Sequence, residues 1–114
     1  MPRKYEVCWA RTAEQDLEVI VMYIARDSID EAFKILSRLR ETAETLLSMP
    51  QRGRLVPELH AQGVITYHEL FVSPWRIIYR IGRRKVHVLA VIDSRRNLED
   101  ILLERFTRLT GENG

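Results

Sequence analysis

The stretch His68–Asn97, HELFVSPWRIIYRIGRRKVHVLAVIDSRRN, decides the fold. Two turn signals, Ser73-Pro74 and Gly82-Arg83-Arg84, separate three strand-like runs at 65–72, 75–81 and 85–92. In the middle run Trp75, Ile77, Tyr79 and Ile81 alternate with Arg76, Ile78 and Arg80. Successive strand side chains point to opposite faces, so the first set predicts a face packed on a core. The second set places two arginines on the other face. A buried, unpaired guanidinium is expensive, so that face is expected to be open, a cationic surface aimed at something anionic. The run 85–92 is apolar at nearly every position, as in a strand covered on both sides, with the C-terminal helix as the second cover. In the run 65–72 both alternating sets mix polar and apolar residues, which leaves its facing undecided.

Outward from this meander, Tyr5–Trp9 reads as a short strand. Thr12 with Gln15 forms a T-x-x-Q capping box, and Ala13, Leu17, Ile20, Val21 and Ile24 make one helical stripe ending at Arg26-Asp27. Ser28 with Glu31 gives a second box, S-x-x-E, opening a longer helix whose apolar face runs from Ala32 to Leu47. Pro50 ends it, because the residue before a proline is pushed out of helical geometry. Two helices so closely joined form an antiparallel hairpin. The segment 51–63 is turn-rich, with Gly53, Pro57 and Gly63 as breakers. After the last strand, Asn97 or a neighbour caps a helix from about Leu98 to Thr107, carrying Leu102, Leu103 and Phe106. The expected architecture is α+β, ordered β-α-α-β-β-β-α, with an antiparallel sheet packed against the helical hairpin. The 114 residues are expected to form a single domain, frayed from about 109.

Charge sharpens the functional expectation. Net charge is only +2, yet residues 52–96 hold nine basic and three acidic side chains, and fifteen of the eighteen basic residues are Arg. Guanidinium suits planar contact with phosphate or carboxylate, so the expected partner is nucleic acid or an acidic protein segment; a solvated basic face without a partner is the bland alternative. Arg83 and Arg84 in a turn, and Arg95 and Arg96 after the last strand, extend the candidate surface begun by Arg54, Arg76 and Arg80. Cys8 stands alone, in a strand-like run, and reads as a small hydrophobe. No leader-like apolar region opens the chain and no run reaches about 18 apolar residues. A soluble, cytoplasmic protein without a membrane partner is therefore expected. No metal, nucleotide or flavin motif is visible, and no cofactor is expected.

The chain resembles the RelE/ParE superfamily of bacterial type II toxin–antitoxin toxins. The resemblance rests on W-A-x-x-A-x-x-D-L (Trp9–Leu17), Tyr23-Ile24, L-x-x-x-P-x-x-G-R (Leu46–Arg54) and Pro57-Glu58-Leu59. It continues through Y-x-E-L (Tyr67–Leu70), P-x-R-I-I-Y-R-I (Pro74–Ile81) and V-x-V-L-x-V-x-x-x-R-R-x-L (Val86–Leu98). It implies a small growth-arresting toxin, the kind of protein linked to plasmid stabilisation, silenced by a cognate antitoxin whose flexible tail folds on it. It also implies one of two targets, DNA gyrase for ParE-like members or ribosome-bound mRNA for RelE-like endonucleases.

Metal-free RNA cleavage needs a base, an acid and cations on one phosphate. Arg54, Arg76 and Arg80 are candidate cations, with His68 and Glu69 the remaining candidates for acid and base. RelE-like members commonly carry a Tyr or His just after the last strand, where this chain reads Asp93-Ser94-Arg95-Arg96-Asn97. His60 lies in a turn, and His87 reads as a structural histidine within an apolar strand. The long hairpin, the R-R-x-L motif and the C-terminal helix favour the gyrase-directed branch, without catalytic residues. A non-toxic, antitoxin-binding module is the third reading. A homodimer and a toxin–antitoxin hetero-oligomer are both compatible with so small a fold.

Overall fold

The alternation read in the middle strand sets the layers. The computed structural model describes the backbone of residues 5–112 and the side chains of residues 5–105. Strand β1 (Glu6–Trp9) leads into α1 (Arg11–Ala25) and α2 (Ile29–Glu44), which continues as one 3-10 turn, Thr45–Leu47. Then come β2 (Arg54–Leu55), the short α3 (Pro57–His60), β3 (Tyr67–Val72), β4 (Trp75–Ile81), β5 (Lys85–Asp93) and α4 (Leu98–Glu112). The five strands are ordered β1-β5-β4-β3-β2. The α+β class and the expected order of major elements stand. The sheet is antiparallel except that β1 lies parallel to β5, and β2 and α3 arise from the stretch expected to be only turns. Among the described residues, no helix is long and apolar enough to cross a membrane.

One sheet face meets the helical hairpin. Ile77 and Tyr79 of β4 are fully buried there with Leu17, Leu39 and Leu46, while Trp75 and Ile81 pack at the margins. On the other face Ile78, Ala90 and Ile92 form a second cluster with Val56 and with Leu98 and Ile101 of α4. The apolar β5 is thus covered on both sides, as its composition predicts. Leu102 and Leu103 of α4 point outward instead. The helix spans the position near 109 where fraying is expected; residues 113–114 and the Phe106 side chain lie outside the described residues. Cys8 is free and half-buried.

A bulge in β5 explains how one strand serves two cores. Ile78 pairs with Ala90 but Tyr79 with Val88, so Leu89 is an extra residue and the alternation inverts across it. Val86 and Val88 face the hairpin before the bulge and Val91 after it. Backbone groups beside the bulge find partners on α1. Thr12 Oγ1 donates to the Leu89 carbonyl at 2.9 Å, and the Val91 amide donates to Asp16 Oδ2 at 2.9 Å. Asp16 Oδ1 in turn accepts from Arg105 of α4 at 2.6 Å. Thr12 therefore forms no capping box. The helix begins one residue earlier, its N-cap is Ala10, and no side chain caps it.

At the second expected box the serine cap forms without the reciprocal half, because the Ser28 amide donates to the Ile24 carbonyl instead of to Glu31. Ser28 Oγ accepts from the Glu31 amide at 3.1 Å, and Asn97 Oδ1 caps α4 by accepting from the Asp100 amide at 3.0 Å. Ser28→Ala should cost about 1 kcal/mol and lower Tm by roughly 4 °C in a calorimetric scan, with no change in the fold. An unchanged Tm would mean that water replaces the cap.

Candidate functional site

Four charged side chains meet on the sheet face that carries α4. Arg54 of β2 lies opposite Glu69 of β3, and Glu69 opposite Ile78, so strand pairing puts Arg54, Glu69 and Arg76 on one face. Glu69 is only 4% exposed and accepts from both arginines, from Arg54 Nε at 2.7 Å and from Arg76 Nε at 2.6 Å. The two outer nitrogens of Arg76 grip Glu58 of α3 at 2.7 and 2.8 Å, a bidentate pair. Glu58 is thereby held below the usual carboxylate range, first by its hydrogen bonds from Arg76. Arg76 is raised above its ordinary value, chiefly by Glu58 and then by Glu69, against the opposing effect of burial.

This corrects the expectation of an open pair of guanidinium groups on β4. Arg76 is 7% exposed and committed to two carboxylates of its own chain. Burial of that arginine is tolerated because both partners are ionised and well aligned, the condition a lone sequence position cannot reveal. Arg80, farther along the same face beyond Ile78, is half-buried and has no carboxylate partner among the described residues. Arg54 keeps its outer nitrogens free, since only Nε is engaged and its side chain is 71% exposed.

The other candidates are scattered. Arg83 and Arg84 sit in the β4–β5 turn, where Arg84 adopts a positive φ of 61°. Arg95 and Arg96 lie beyond the far end of β5, on the order of 25–30 Å away at about 3.3 Å per strand residue. Arg95 pairs with Asp93 at 2.6 and 2.9 Å and holds that carboxyl down to about 2 through hydrogen bonds. Arg96 reaches Glu104 at 3.4 Å. The arginines thus form two poles and a neutralised centre rather than one cationic surface.

His68 and Glu69 are adjacent on β3 and so face opposite sides of the sheet. The His68 ring stacks on Tyr79 at 5.6 Å between centroids, with Nδ1 buried and without a partner. These two residues cannot serve as acid and base on one phosphate. Tyr79 itself is a structural anchor. Its hydroxyl donates to the Pro50 carbonyl and accepts from the Gly53 amide, both at 2.9 Å, and burial raises its pKa.

Glu58 is the participant that sequence reasoning missed. Its signal was a proline followed by an acid, the composition of a first helical turn, within a stretch read only as turns. A groove of about 1060 Å³ also opens between α1 and α4, lined by Tyr23, Trp75, Arg95 and Arg105 among others. Near it, Val19, Met22 and Tyr23 of α1 and Ile29 and Phe33 of α2 are exposed apolar side chains at the tip of the hairpin.

A family model described as "ParE toxin of type II toxin-antitoxin system, parDE" matches residues 7–98. No curated protein matches the chain in sequence. Among solved structures, the chain is similar to one titled as the chromosomal ParDE toxin–antitoxin system from P. aeruginosa. That match has TM-score 0.65 and 19% identity, covering 79% of this chain and 96% of the other. It is also similar to one titled as the toxin–antitoxin complex RelBE2 from Mycobacterium tuberculosis. There the TM-score is 0.60 and the identity 22%, over 82% of this chain and 94% of that one.

Proposed function

Because the chain belongs to the ParE toxin family of type II toxin–antitoxin systems, we propose that it arrests growth by inhibiting DNA gyrase without hydrolysing a bond. One observation supports the non-hydrolytic reading. Of the side chains nominated for RNA cleavage, His68 and Glu69 are split between the sheet faces, and Arg76 is neutralised by Glu58 and Glu69. A base whose oxygens already accept from two arginines is a poor proton acceptor for a 2′-hydroxyl. The target surface then consists of the arginine poles and the exposed apolar tip of the hairpin. The partner that silences the protein is a cognate antitoxin, by analogy with the titles of both structural relatives.

Purified protein at micromolar concentration should block supercoiling of relaxed plasmid by gyrase, and full supercoiling in its presence would refute the proposal. A RelE-like activity is the second reading, favoured by Arg54 and Arg80, two cations on one face with nitrogens not taken by carboxylates. Primer extension on ribosome-programmed mRNA tests it directly. Growth arrest on expression without antitoxin separates both readings from an inert binding module.

A further inference from the structure

Among the described side chains, the second core covers one half of the sheet face that carries the ion network. The described buried residues of α4, Leu98 and Ile101, rest on the half nearer the Ser73-Pro74 turn, against Ile78, Ala90 and Ile92. One register step farther, toward the β4–β5 turn, the pairing aligns Tyr67 of β3, Arg80 of β4 and His87 of β5 in a row across three adjacent strands. Directly opposed residues stand about 4.5–5.5 Å apart at Cβ, so these three side chains form one contiguous strip. All three are partly accessible. Lys85 follows His87 on the same face, and the His87 ring lies beside Gly82, where no side chain screens it.

Arg80 is the anomaly in this strip. Of the basic side chains described that are not fully exposed, Arg76 and Arg105 are each matched to carboxylates, and Arg80 is not. The acids on this face are Glu69, already shared between Arg54 and Arg76, Glu58, gripped by Arg76, and Glu6, which opposes Lys85 at the sheet margin. A half-buried cation flanked by two partly accessible rings, one of them Tyr67 braced against the second core, has the makings of a stacking platform with a phosphate contact at its centre. We propose that the strip Tyr67–Arg80–His87 is a binding site for single-stranded nucleic acid, with a backbone phosphate on Arg80 and Lys85 and bases stacked on Tyr67 and His87. The strip excludes duplex as its preferred ligand, because paired bases keep their faces stacked on each other. Neither gyrase nor a ribosome is required, so this site stands or fails separately from the target proposed above.

The test is fluorescence anisotropy with a fluorescein-labelled 12-nucleotide oligo-deoxythymidine, titrated with the full chain across a salt series. Arg80→Ala should weaken binding about tenfold and reduce the slope of log affinity against log salt by about 0.7, the loss of one phosphate contact. Arg38→Ala, an exposed arginine on the far side of the hairpin, should change neither. Equal weakening by both variants, tighter binding of a duplex of the same length, or no binding at low salt would each overturn the proposal. Should Arg80→Ala fail to fold, the unmodified protein decides the matter by NMR. The His87 ring resonances should move on adding the oligonucleotide while those of His60, exposed on α3, stay in place; the reverse pattern overturns the site.

Discussion

Replacing Glu69 with alanine should destabilise the protein by about 3–5 kcal/mol, measured by urea denaturation at pH 7. The carboxylate is almost fully buried and is the shared acceptor of two guanidinium groups. Its removal leaves the buried Arg76 Nε without an acceptor and Glu58 as the one carboxylate still holding that guanidinium. Arg54 would escape, because its side chain is already largely solvated. Glu58→Ala should be milder, about 1–2 kcal/mol, since solvent can reach the space left on the partly exposed α3 side. The paired change Glu69→Leu with Arg76→Met should recover most of the loss, because a buried ion pair replaced by matched apolar groups is often neutral. A cost below 1 kcal/mol for Glu69→Ala would show that Glu58 alone satisfies Arg76, and the shared carboxylate would lose its structural meaning.

Gly53→Ala should cost about 2–4 kcal/mol, combining overpacking with the loss of a buried hydrogen bond. A Cβ at position 53 would stand 2.4 Å from the Glu69 carbonyl oxygen and 2.6 Å from the Tyr79 hydroxyl. The first obstacle is backbone and cannot swing aside. Relief requires β2 to move off β3, which breaks the Arg54–Glu69 register and the two bonds of the Tyr79 hydroxyl together. Hydrogen exchange gives the local readout: the Val56 amide, bonded to the Tyr67 carbonyl at 3.0 Å, should lose protection ahead of the β4 amides. Unchanged protection at Val56 and a stability within about 0.5 kcal/mol of the parent would refute this account of the glycine.

What the sequence revealed depended on whether a signal was local. The bounds of β4 follow from strict alternation over seven residues, and the caps at Ser28 and Asn97 follow from side chains acting within three residues of themselves. Strand β2 has two residues, too few for any period, and exists because Gly53 lets the chain approach Glu69. The parallel pairing of β1 and the use of Thr12 by the β5 bulge both join residues more than seventy positions apart. The candidate site failed for the same reason. Arg76 reads as exposed when taken by itself, and only the fold brings up Glu58, eighteen positions away, to meet it. Conversely, His87 looked structural within an apolar run, whereas strand pairing sets it beside Arg80.

The place of the first strand bears on when the protein can become active in a cell. Among the described residues its one neighbour in the sheet is β5, so Glu6 must wait for Lys85, about 80 residues downstream, before it can pair. At about 5–20 residues per second, translation supplies that partner some 4–16 s after the first strand emerges. Until then β1 has no strand to pair with, and non-local closure of this kind is slow. A chain wound in this order cannot close its sheet at the β1 edge until β5 has been made, so completion of the shape is tied to the latest of its strands.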